Sequence, residues 1–118
     1  MEAGPTALVV DDDRALRLLC RVNLELEGFA VREAATVAQA VEAIEDEIPD
    51  VVLLDMHLGR EGTELLLAQL REHGIPVLLV TGSVDIEEFR GRADEILSKP
   101  FSPEVLVAAA RRLASIEA

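Results

Sequence analysis

At 118 residues and a formal net charge of −12, the chain has room for one compact domain but not for a second, substrate-binding one. It also lacks the clustered Lys and Arg that DNA, RNA or an anionic membrane would require. No apolar run approaches the roughly 20 residues that cross a bilayer and the N-terminus carries no secretory pattern, so a cytoplasmic protein is expected. One cysteine, no Trp or Tyr and three Phe leave an internal disulfide, a multi-cysteine zinc site, base stacking and flavin sandwiching without their usual side chains.

Short apolar runs alternate with helical stretches, the pattern of βα units around a doubly wound parallel sheet. The first strand is expected over Ala7 to Val10, running into Asp11, Asp12 and Asp13. A helix from Arg14 to Glu27 follows, with a buried stripe assigned to Ala15, Leu18, Leu19, Val22 and Leu26 and a stop at Gly28. Cys20, on that helix, reads as a core thiol. Strand two is Ala30 to Glu33. Thr36 caps a second helix that places Val37, Ala40, Val41 and Ile44 at helical spacing, and the acidic residues from Glu42 to Glu47 read as a solvated face.

Pro49 and Asp50 turn the chain into strand three, Val51 to Leu54, which delivers Asp55. The loop MHLGREG breaks the periodicity before a helix from Thr63 to His73 that buries Leu66, Leu67 and Leu70 and stops at Gly74. His73 is read as a partner of that helix's dipole. Strand four, Pro76 to Val80, presents Thr81. A short helix near Asp85 to Arg92 turns Ile86, Phe89 and Ala93 inward, and strand five, Glu95 to Leu97, reaches Ser98 and Lys99. Ser102 and Pro103 then start a last helix to Ile116 with Leu106, Ala109, Ala110 and Leu113 inward.

Parallel sheets place their sites at the carboxyl ends of strands, which gathers Asp11, Asp12, Asp55, Thr81 and Lys99 at one edge. Carboxylates a few ångströms apart repel by roughly 4 kcal/mol per close pair at an effective dielectric near 20, so the set invites a divalent cation. Hard oxygen ligands in an open cleft suit Mg²⁺, with Mn²⁺ also possible. One carboxylate can then accept a phosphoryl group while metal, ammonium and hydroxyl neutralise its oxygens. Lys99 is the only lysine among eleven basic residues, which favours a point-charge role. Asp13 is read as the N-cap of the first helix.

LVVDDD, Asp55 after VVLL, Thr81 after PVLLV, and LSKPF, in that order, resemble the receiver domain of two-component response regulators over essentially the whole chain, residues 1–118. The resemblance implies a flavodoxin-like fold with five parallel strands in the order 2-1-3-4-5 and five helices. It implies Asp55 as phosphoacceptor, Asp11 and Asp12 as the metal-binding pair, and the His57 backbone carbonyl completing the magnesium shell. Thr81 and Lys99 would bind the phosphoryl oxygens, while His57 and Ser83 would tune acyl-phosphate lifetime. The implied partners are a histidine kinase or histidine phosphotransfer protein and a downstream protein effector, with the domain a monomer or weak homodimer.

Three departures accompany the resemblance. Ile96 stands where receivers usually carry Tyr or Phe, so their rotamer switch cannot operate in the same form. The Thr81 to Lys99 segment is shorter by roughly one helical turn, which puts in doubt dimerisation through the family's fourth helix, fifth strand and fifth helix. Gly59 replaces a frequent proline. Two alternatives stay open: a receiver-like module that is never phosphorylated, and a small aspartyl-phosphate hydrolase using Asp11 and Asp13.

Overall fold

The computed structural model describes residues 4–55, 60–82 and 93–116. Five parallel strands, β1 (Thr6–Val10), β2 (Ala30–Ala34), β3 (Val51–Asp55), β4 (Val77–Thr81) and β5 (Glu95–Ser98), form one sheet in the order 2-1-3-4-5. Four helices lie among the described residues: α1 (Arg14–Leu26), α2 (Val37–Asp46), α3 (Arg60–Glu72) and α4 (Pro103–Ile116). The short helix expected near Asp85 to Arg92 lies outside them, as do its Ile86 and Phe89.

Side chains on a strand alternate between faces, and here the alternation divides the core in two. Ala7, Val9, Val51, Leu53 and Leu78 cluster with Cys20 and Leu24 of α1 and with Leu106, Ala109, Ala110 and Leu113 of α4. Their neighbours Leu8, Val10, Val52, Leu54, Val77 and Leu79 cluster with Ala40 and Ile44 of α2 and Leu66, Leu67 and Leu70 of α3. Every residue of β3 and β4 is buried, as expected for strands covered on both faces.

The helix boundaries follow local chemistry. Asp13 caps α1, its carboxylate accepting from the N–H groups of Ala15 and Leu16, and Thr36 caps α2 through Gln39 N–H. Gly28 and Gly74 adopt φ of 95° and 68°, left-handed values that favour glycine. Phe29 N–H reaches back to Leu24 O, and Ile75 N–H to Leu70 O, closing the helix ends as C-terminal capping turns do.

Two expectations need correction. The stripe assigned inward on α1 is its outer face: Leu18, Leu19, Val22 and Leu26 are exposed by 55%, 43%, 45% and 77%, and Ala15 is exposed as well. The buried line is Cys20 and Leu24, with Leu16 packed against the same cluster. Both sets have helical spacing, so periodicity alone did not choose between them. Packing against the sheet and α4 decided it, with Cys20 and Leu24 in, and Leu16 against, the cluster that also holds Val9 and Leu106. The second correction concerns α3, which begins at Arg60, three residues earlier than predicted. Gly62 lies inside it, at a position where a Cβ would come within 2.9 Å of Val37 Cγ2 on α2.

Candidate phosphoryl-acceptor and metal site

Sheet register brings the site together. Val10 of β1 pairs with Leu54 of β3, so Asp11 and Asp55 emerge side by side at the carboxyl edge. Asp55 is opposite Val80, and Thr81 is opposite Ser98, which puts Thr81 one residue further along the edge and Lys99 two. Lys99 N–H donates to Thr81 O at 2.7 Å, tying the chain after β5 to the end of β4; the Lys99–Pro100 peptide that follows is cis.

One carboxylate oxygen from each of Asp11, Asp12 and Asp55 lies within 4.8 Å of the others. Asp11 and Asp55 are buried, while Asp12 is exposed at the mouth. Lys99 Nζ donates to Asp55 Oδ1 at 3.4 Å. Thr81 is 1% exposed. Asp11 Oδ1 accepts from Asp13 N–H at 2.8 Å, so the residue that caps α1 also orients the Asp11 carboxylate. Burial pushes the Asp11 carboxyl up to about 6, the Asp55 charge and a hydrogen bond to Asp55 adding to the rise against the Asp13 N–H and Lys99. Burial and a like-charged neighbour help Asp11 hold its proton below about pH 6, and a small dication bound there would displace that proton.

Other carboxylates of the sheet contrast with these. At the amino edge, Asp50 accepts from Thr6 N–H and Oγ1, and Asp94 from Val77 N–H; these are strand-end braces. At the carboxyl edge the carboxylates face one another and one ammonium. That donor set fits a hard divalent cation.

A model of the response regulator receiver domain matches residues 7–111. The chain belongs to that family. It is 39% identical over 113 residues to the phosphate regulon transcriptional regulatory protein PhoB of Pseudomonas aeruginosa, covering 89% of this chain and 49% of PhoB. It is 34% identical over 109 residues to the DNA-binding response regulator MtrA of Mycobacterium tuberculosis, covering 88% of this chain and 48% of MtrA. The chain thus spans about half the length of these curated relatives. Among solved structures, the receiver domain of NtrX from Brucella abortus superposes with a TM-score of 0.85 at 31% identity, covering 92% of this chain and 98% of that one. A CheY-like receiver domain protein from Methanospirillum hungatei gives 0.85 at 28%, covering 96% and 95%.

Of the residues singled out in the sequence, this receiver gathers Asp11, Asp12, Asp55, Thr81 and Lys99 at one edge. His57, Gly59 and Ser83 lie outside the described residues. Ile96 is half-buried on β5, paired with Leu79 and packed against the core on the α2–α3 side. Cys20 is buried, and that burial pushes its thiol up to about 12. His73 Nδ1 lies 2.9 Å from Gln69 O at the end of α3. Arg17 and Glu33 escaped sequence reasoning. They are sixteen residues apart, and no local pattern joins them, yet Arg17 Nη1 donates to the Asp11 carbonyl at 2.7 Å and Nε to Glu33 at 3.0 Å.

Proposed function

We propose that this receiver accepts a phosphoryl group on Asp55. The observation that carries the reading is the convergence of three carboxylates within 4.8 Å with Lys99 Nζ 3.4 Å from Asp55. Asp11, Asp12 and Asp55, with the His57 carbonyl, would hold Mg²⁺ (or Mn²⁺), which when bound supplies charge neutralisation for phosphate oxygens. An Asp55 carboxylate oxygen forms the new bond to phosphorus. The bond to the donor's imidazole nitrogen, or to the acyl oxygen of a small phosphodonor, breaks, and its electron pair leaves with the donor. Lys99 and Thr81 contact the phosphoryl oxygens. Attack by water later releases phosphate and restores the carboxylate, with His57 and Ser83 tuning that rate.

The donor is a histidine kinase or histidine phosphotransfer protein, and the apolar outer face of α1 beside the acidic cleft gives it a docking surface. Ile96 lies two residues from Ser98, the pairing partner of Thr81, so switching proceeds through core packing at β5 and ends in binding of a protein effector. No helix among the described residues is long and apolar enough to cross a membrane. The reading is of a cytoplasmic domain, monomeric or weakly dimeric, that does not itself touch nucleic acid.

Intact mass after incubation with Mg²⁺ and acetyl phosphate tests the reading. Wild type gains one labile phosphoryl group and Asp55→Ala gains none. An adduct that survives Asp55→Ala but disappears in Asp11→Ala would point to hydrolase chemistry, and none in wild type, even with a cognate kinase, to a passive module.

A further inference from the structure

The backbone of Asp11 is held on both sides, directly by β2 and through Arg17 of α1. Its N–H donates to Ala34 O at 3.0 Å, and its carbonyl accepts from Arg17 Nη1 at 2.7 Å. Arg17 is anchored through Nε to Oε1 of Glu33, the residue before Ala34, and the other oxygen of Glu33 accepts from Arg21 at 2.8 Å. The Arg17 and Glu33 side chains are only 15% and 24% exposed. Paired hydrogen bonds from Arg21 and Arg17 hold the Glu33 carboxyl below its usual range against the opposing effect of burial. A guanidinium donates in two fixed directions at once, so the distance from β2 to the Asp11 carbonyl is set by a rigid plane. Asp11 Oδ1 is in turn bonded to Asp13 N–H, so both the backbone and the carboxylate of Asp11 are fixed.

We infer that Arg17 is the positioning residue of the metal-binding acidic pair, with Glu33 as its anchor. The inference rests on the metal reading above. Its sign is opposite to that of simple electrostatics: losing a cation near the cleft should tighten binding of another cation, whereas losing a brace should weaken it. Free Mn²⁺ counted by electron paramagnetic resonance during titration of the metal-free protein separates the two. Arg17→Gln should weaken Mn²⁺ binding by about 10-fold or more, as losses of outer-shell orientation do. Arg21→Gln makes the same charge change but leaves the bonds of Arg17 to Glu33 and to the Asp11 carbonyl in place, so it should change affinity by less than about threefold. Arg17→Lys keeps the charge but not the two-way fork; it should also weaken binding, and it carries the test should Arg17→Gln fail to fold. Arg17→Gln binding as tightly as wild type or tighter, or Arg21→Gln weakening as much, overturns the assignment. A wild type that binds no Mn²⁺ overturns the metal reading itself.

Discussion

Asp11 couples the stability of the metal-free domain to pH. Its carboxyl lies near 3.8 when the chain is unfolded and is raised to about 6 in the fold, chiefly by burial. A raised acid binds its proton more tightly when folded, so its contribution to stability is complete below 3.8 and disappears as pH rises through about 6. The full shift corresponds to about 3 kcal/mol at most, and water at the mouth of the cleft reduces it. Between about pH 5 and about pH 7.5 the loss is about 1.4 kcal/mol or less. Urea unfolding followed by circular dichroism, without metal, should show wild type losing this much more stability over that interval than Asp11→Asn, which does not titrate. The subtraction removes the background from the acidic surface. Mg²⁺ at ten times its dissociation constant should restore about 1.4 kcal/mol at the higher pH, and less at the lower pH, where a proton competes. Parallel pH profiles for the two proteins would refute the argument.

Two stability predictions follow from packing. Thr63 on α3 is fully buried, and among the described residues its Oγ1 has no hydrogen-bond partner. Thr63→Val keeps the shape and removes the stranded hydroxyl, so it should stabilise the domain by about 1 kcal/mol in urea unfolding; destabilisation would mean that the hydroxyl is satisfied. The faces of α1 should respond unequally: Leu24→Ala, at a fully buried position, should cost about 2 to 5 kcal/mol, and Leu18→Ala less than about 1 kcal/mol. Equal losses would contradict the rotation of the helix described above.

Apolar runs and their order were enough to predict five parallel strands, because continuous Val and Leu segments suit a sheet covered on both sides and each ends where turn residues appear. The carboxylates were legible for the same reason: a strand's last residue points its chemistry to the edge. Asp13 and Thr36 announced their helices through local hydrogen bonding that needs only three or four residues. The rotation of α1 could not be read this way, since Leu16, Cys20 and Leu24 and the set Leu18, Val22 and Leu26 have the same spacing on opposite sides of one helix. Nor could the position of Gly62, whose missing Cβ matters only once α2 lies against α3. Arg17 is the sharpest case. Chain order put Asp11 on the carboxyl edge of β1, but only the pairing of β1 with β2 brought Glu33 close enough to hold the guanidinium that fixes the Asp11 carbonyl.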